Sequence, residues 1–312
     1  MPPDSPRQKR GLPSLAFQTA KRIFTPVALG FIVFMAWKNR SVLAGLAAEA
    51  SLGMLALSLI LWACTHLVAP FFSRAVLGAC GSEIGYGAAL QIHANRLPAR
   101  YIPGGIWHTV GRVADFHARG ALPRHLALFV FLENSLAAGT TFLMGGGLLF
   151  YYRHWQRWGV AGALGALAGA LALLVIPAFS RRFILKEKNA LHPAAYAKAL
   201  GVAAGFWILA SASFCVYFSA FPGARAATPV LETAGAYMFG WAVGNVTVFA
   251  PQGIGVFEAM AAGLLKGSMP LGGMAALLAG FRAVALLADF LTWAAARVIA
   301  ALVTRRPDRQ RP

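Results

Sequence analysis

The sequence predicts an all-α integral membrane protein, and three observations carry that prediction. Of the 312 residues, 58% are hydrophobic and 12% charged, about half the charged fraction of a typical soluble domain. Apolar runs of about 20 residues recur, the length a helix needs to cross a hydrocarbon core of roughly 30 Å, and the mean hydropathy is +0.63. The basic residues gather between those runs, as the insertion bias toward cytoplasmic Lys and Arg produces.

The formal charge is +18, from 28 Lys and Arg against 10 Asp and Glu. In a soluble chain such an excess would point to nucleic acid. Here no nucleic-acid motif and no soluble domain accompany it, and basic groups between spans attract anionic lipid headgroups at about 1 kcal/mol each. No nucleic-acid partner is expected. Cys64, Cys80 and Cys215 show no CxxC or Cys/His spacing, and the seven histidines are scattered without HExxH. Neither a disulfide framework, a metal nor a cofactor is therefore expected.

Taken in order, residues 1–22 form a basic tail with four prolines and Arg7, Lys9, Arg10, Lys21 and Arg22. One polytopic domain follows over 23–303, then a basic C-terminal tail, 304–312. The first apolar run, 23–37, has the length of a signal-peptide core, but Lys38 and Arg40 interrupt the path to a cleavage site, so an uncleaved span is expected. A second span covers 46–69 and ends at Pro70. Residues 70–124 contain six arginines and no long apolar run. Within them, 83–97 reads as an interfacial helix and 101–120 as a segment that dips into the membrane and returns. Such backbone is tolerated only where it is buried in protein or lines a cavity.

Spans are then expected at 125–151, carrying Glu133 and Asn134, and at 158–179, carrying Gly165-xxx-Gly169, a spacing that permits close helix contact. After a basic loop at 180–198 come 199–221, 230–249 with Gly240-xxx-Gly244, the short segment 251–266, and 272–303 with Arg282 and Asp289. Lys and Arg in successive connections number 5, 2, 6, 2, 5, 1, 1 and 4. If 251–266 crosses, the high counts fall on one side, which gives about eight transmembrane helices with both termini cytoplasmic. If it only re-enters, seven crossings put the basic tail outside.

The functional signal lies in two helix breaks. APQGIGVFEAM, residues 250–260, sets Pro251, Gly253 and Gly255 before Glu258, and RYIPGGIW, residues 100–107, sets Pro103, Gly104 and Gly105 before His108 and Arg112. A carboxylate at membrane depth is costly and faces a cavity or a partner. A half-helix starting beside it offers backbone N–H groups to an anion. Paired breaks in comparable positions of two pseudo-symmetric halves point to a transporter-type site. Arg112 suits a phosphate, which a guanidinium binds bidentately; the competing reading is a juxtamembrane cation. Arg282 and Asp289 stand two turns apart on one helix face, about 10 Å of rise, and would flank a cavity with Glu258 between them. The competing reading is an ion-pair network that fixes helix positions.

These motifs, RYIPGGIW…GR over 100–112, Glu133 in the next span and PQGIGVFEA over 251–259, resemble the lysylphosphatidylglycerol synthase transmembrane family. That family is the flippase-like membrane domain also found in the multiple peptide resistance factor. Gln252 stands where its usual motif has glycine. The resemblance covers about 20–303 and implies movement of lipids between leaflets of a bacterial inner membrane. It implies no aminoacyl transfer, since the chain carries no soluble synthase domain after its last span.

The resulting expectation is a lipid translocase rather than an enzyme. Its partner would be an anionic or zwitterionic phospholipid, or a lipid-linked headgroup. Arg112 and the half-helix starts at Gly104–Gly105 and Gly253–Gly255 would hold phosphate. Glu133, Glu258 and Asp289 would meet a cationic part or a proton. A homo-oligomer is compatible with this sequence. The alternatives are a non-catalytic membrane scaffold or accessory subunit, and a membrane-embedded lipid transferase.

Overall fold

Long apolar helices dominate because a backbone out of water must satisfy its own hydrogen bonds. In the computed structural model, residues 30, 33–34, 36–102, 106–185, 192–223, 228–247, 253–265 and 269–304 are described. Every regular element among them is helical: α1 (Arg40–Ala48), α2 (Leu52–Ala79), α3 (Tyr86–Asn95), a 3-10 turn (Leu97–Tyr101), α4 (Trp107–His117), α5 (Pro123–Arg153), α6 (Arg157–Phe179), a π turn (Ser180–Leu185), α7 (Pro193–Ser219), α8 (Val230–Val246), α9 (Val256–Leu264) and α10 (Leu271–Thr304).

Five of these are long and apolar enough to cross a membrane: α2, α5, α6 with its π continuation, α7 and α10. The expected first span and both tails fall largely outside the described residues. α8 has 17 residues and α9 nine. α8 is enclosed on every side from Glu232 to Gly240, as a helix without a polar face must be.

Two boundaries differ from the sequence reading. Pro70 does not end the second span, since α2 continues through it to Ala79. A proline inside a helix removes one bond and disturbs the preceding turn, and the Leu67 carbonyl in that turn accepts a hydrogen bond from the Tyr86 hydroxyl, at 2.9 Å. The expected loop at 180–198 begins instead as helix, in the π turn that extends α6.

Packing divides into two apolar clusters. One joins α7, α8, α9 and α10 through Phe214, Tyr237, Phe257 and Phe281, with Phe214 stacked on Tyr237 at 4.6 Å and edge-on to Phe281 at 5.1 Å. The other joins the end of α2 with α3, α4 and the first half of α5 through Leu77, Ile92, Phe116, Phe129 and Leu132. Between them α5 and α6 lie backbone to backbone. A Cβ placed on Gly162 would stand 2.7 Å from the Gly146 carbonyl oxygen, and one on Gly169 would stand 2.6 Å from that of Gly139. Gly165, the other half of the expected pair, faces the Phe239 ring of α8 instead. Gly240 and Gly244 face Ala261 and Gly253, so their spacing serves the contact with α9.

Gly162→Ala should therefore lower stability by about 1–3 kcal/mol, the cost of forcing a methyl into a filled contact. Gly205→Ala, where a Cβ meets nothing within 4 Å, should be neutral. Thermal unfolding in detergent compares the two, and equal melting temperatures would contradict the close-packed α5–α6 contact.

Candidate functional site

Two carboxylates are almost fully enclosed, Glu258 of α9 and Asp289 of α10. Asp289 is 1% exposed, and an ionised carboxylate there needs donors for both oxygens. Four are supplied. Its Oδ1 accepts from Trp62 Nε1 at 3.0 Å and from His66 Nε2 at 2.8 Å. Its Oδ2 accepts from an Arg100 guanidinium nitrogen at 3.0 Å and from the Tyr101 hydroxyl at 2.9 Å. Trp62 and His66 share one face of α2 because they lie four residues apart. Arg100 and Tyr101 come from the end of the 3-10 turn, so Asp289 ties three separate elements together.

A chain of imidazoles leads away from it. His66 Nδ1 lies 3.1 Å from His93 Nε2 on α3, and the His93 ring stands edge-on to His108 of α4 with centroids 5.8 Å apart. Burial first, and then His66 and the Arg112 and Arg100 cations, hold the His93 imidazole well below its ordinary range; burial and then Arg112 and Arg100 do the same for His108. Both rings lie on short helices, α3 and α4, outside the five candidate spans. Burial, and then the Asp289 charge, push the Tyr101 phenol up, so it stays a donor.

Each expected half-site contains one further ion pair. In the first, Arg112 binds Glu133 through two parallel hydrogen bonds, at 2.7 and 2.5 Å. Arg112 is 4% exposed and lies 5.2 Å over the Phe129 ring. Phe129 and Glu133 occupy the same face of α5, as do His108 and Arg112 on α4, each pair four residues apart. Among the described residues the buried Arg112 Nε and His108 Nε2 have no hydrogen-bond partner. In the second half-site, Gly253 and Gly255 have φ of +66° and +82°, a region side chains avoid, which lets the chain turn sharply into α9. Glu258, 1% exposed, reaches back and accepts the Gly255 N–H at 2.6 Å, while its other oxygen accepts from Arg282 Nε at 2.5 Å.

The expected residues are thus placed, but with other partners than the sequence suggested. Arg112, expected at a phosphate, is buried and paired with Glu133. Arg282 and Asp289 do not flank Glu258 together. Arg282 pairs with Glu258, and Asp289 is held from α2 and the 3-10 turn. The anion expected at the start of the second half-helix is the chain's own Glu258. Pro103, Gly104, Gly105 and Pro251 lie outside the described residues.

Sequence reasoning missed Trp62, His66, His93, Arg100 and Tyr101. The signal was present for His66, an ionisable group inside an apolar run, the same criterion that singled out Glu258. It also missed Arg153, which joins Glu232 of α8 at 2.6 Å and the Leu264 carbonyl of α9 at 2.8 Å. Among the described residues no group of three or more His, Cys, Asp or Glu side chains could hold a metal ion.

The chain matches no model of a known protein family, and no curated protein is significantly similar to it.

Removing one member of a buried pair leaves a charge without compensation, at a cost of about 3–5 kcal/mol, whereas replacing both by apolar groups is often neutral. Glu133→Gln should therefore destabilise strongly by stranding Arg112, and Arg112→Met with Glu133→Leu should recover most of the loss. Thermal unfolding of single and double variants checks this. A double variant no more stable than the single would remove the ion-pair account.

Proposed function

We propose that the protein is a flippase-like lipid translocase that accepts the headgroup of a phospholipid, or of another lipid-linked anion, among the polar groups gathered around Asp289. The observation that carries this reading is the concentration of ionisable groups between apolar helices. Asp289, His66 and Arg100 meet directly, with His93, His108, Arg112 and Glu133 next to them. Ionisable groups at such depth are costly and mark substrate or ion pathways, and polar surroundings lower the cost of carrying a headgroup through hydrocarbon.

Arg100 is the cation best placed to meet a phosphate. Its side chain is 36% exposed while that of Asp289 is 1% exposed, so it is the more accessible member of the pair. Arg112 and Arg282 act beside it by fixing α4 and α9, the short helices that follow the two breaks. The reading includes about eight crossings in two pseudo-symmetric halves, both termini cytoplasmic, in a bacterial inner membrane. The resemblance of RYIPGGIW and PQGIGVFEA to flippase-like membrane domains points the same way.

A second reading has one observation in its favour: the deepest carboxylates, Glu258 and Asp289, are each hydrogen-bonded to an arginine, as in a scaffold whose charges only fix packing. Headgroup movement decides between the two. Proteoliposomes with fluorescently labelled phospholipids of several headgroup classes should translocate at least one class faster than protein-free vesicles. Arg100→Lys, which keeps a charge opposite Asp289 but loses the planar guanidinium fork, should slow that movement severalfold with little change in melting temperature. Movement no faster than in empty vesicles for every class would overturn the translocase reading. In the same assay, Glu258→Gln separates the roles: lost movement with retained melting supports a site, and lost folding alone supports the scaffold.

A further inference from the structure

Registers between neighbouring helices fix how deep each half-helix begins or ends. α5 is the measure. Its 31 residues extend about 46 Å at 1.5 Å per residue, its midpoint is Ala138, and arginines stand near both ends, Arg124 and Arg153. α4 runs antiparallel to its first half, with Phe116 edge-on to Phe129 at 5.6 Å and Arg112 paired with Glu133. Carried five residues on, that register sets Trp107, where α4 begins, level with Ala138. α8 runs antiparallel to the second half. A Cβ on Gly235 would stand 2.9 Å from Leu148 Cβ, and one on Gly145 would stand 2.6 Å from the Phe239 nitrogen. That register sets Val246, where α8 ends, level with Ala137–Ala138 as well.

The neighbours of these half-helices complete the pattern. α9 returns along α8: Gly244 faces the Phe257 nitrogen, Gly240 faces Ala261, and the Leu264 carbonyl accepts from Arg153 at the end of α5. α3 comes in from the opposite end of the bundle. Its contacts along α2 step from Arg74 with the Ile84 carbonyl, through Phe71 against Tyr86, to His66 beside His93. His66 lies at the middle of α2. The two ends of the bundle differ in charge. The start of α5 lies with Arg119 and Arg124, and the antiparallel contacts of α6 with α5 bring Arg181 and Arg182 to the same end. At the other end Arg153 is paired with Glu232. The start of α5 is therefore the basic end.

We propose that α8 and α9 together do not cross the membrane. They form a re-entrant hairpin from the less basic face, α3 and α4 form another from the basic face, and both turn back at one level, half-way across. Of the eight segments in the reading above, α8 and α9 are half-crossings. Six full crossings remain, namely α2, α5, α6, α7, α10 and the first apolar run as read from the sequence. Both termini stay on the basic, cytoplasmic face. The arrangement accounts for the depth of the two enclosed carboxylates. α4 and α9 start at the shared level from opposite sides, so the positive ends of two helix dipoles lie at mid-depth. Asp289, beside His66, and Glu258, in the first turn of α9, lie there too. Each is approached from a different face, Asp289 along α3 and α4, Glu258 along α8 and α9. The handover of a headgroup between them rests on the lipid-translocase reading, whereas the hairpins do not.

A maleimide carried on polyethylene glycol, too bulky to enter the membrane, tests this on the full chain in sealed vesicles of phosphatidylethanolamine and phosphatidylglycerol. Single added cysteines replace four exposed side chains, Leu122, Trp155, Ile106 and Val246. Each is scored as a gel shift beyond that of the wild type, whose native cysteines are retained. Leu122→Cys should gain the shift from one face and Trp155→Cys from the other. Ile106→Cys and Val246→Cys should react at least tenfold more slowly from either face, and fully once the protein is dissolved in dodecyl sulfate. Asn245→Cys, also at an exposed side chain, gives the same reading should Val246→Cys fail to fold. Val246→Cys reacting as fast as Leu122→Cys from the basic face overturns the proposal, because α8 then crosses. So does Ile106→Cys reacting at that rate from either face, or Leu122→Cys and Trp155→Cys reacting from the same face. Headgroup movement is scored in the same vesicles. Slow hairpin tips without lipid movement keep the hairpins and remove the translocase reading; lipid movement with a fast Val246→Cys does the reverse.

Discussion

The burial of the Asp289 carboxylate is the constraint on which the arrangement around it depends. A charge withdrawn from water must be matched by donors at fixed distances, and the four that match this one come from α2 and the 3-10 turn. α10 cannot shift against either without breaking a bond to a buried charge. The same requirement recurs on both sides. Each short helix after a break is pinned to the long helix that follows it by an arginine–carboxylate pair, with the polarity exchanged. α4 contributes the cation, Arg112, to α5, whereas α9 contributes the anion, Glu258, to α10.

Two kinds of contact divide the molecule. Where α5 meets α6, glycines let the backbones touch, and the association rests on packing, as it must between helices in lipid. Around α3, α4, α9 and the 3-10 turn, short elements are held by buried apolar side chains together with charge and hydrogen bonds. At the described α5–α6 glycine contacts the neighbouring atoms are backbone and apolar side chains. The short elements instead set ionisable groups among buried apolar side chains such as Leu97, Phe116 and Phe257, so changes in charge act where the covalent chain is least regular.

The helical class was legible because apolar run length and the absence of charge are direct consequences of crossing hydrocarbon. Glu258 was legible for the same reason. Its partner was not, since a salt bridge between positions 258 and 282 depends on how α9 and α10 pack, and no local pattern encodes that. Pro70 misled because proline costs a helix one backbone bond without having to end it, and α2 runs through it to Ala79. The Arg112–Glu133 pair was not legible either: a guanidinium suits phosphate and carboxylate equally, and only the fold sets Glu133 beside it. His66 escaped notice because it was weighed with the other histidines as a scattered set, not as a single ionisable group inside a span.

The return of Glu258 to the Gly255 N–H bears on selectivity. Tethered three residues away, its carboxylate competes for that N–H at an effective concentration on the order of millimolar or above. A small inorganic anion of ordinary affinity is shut out by this internal rival. An anion arriving at this helix start meets an N–H already bonded to the chain's own carboxylate.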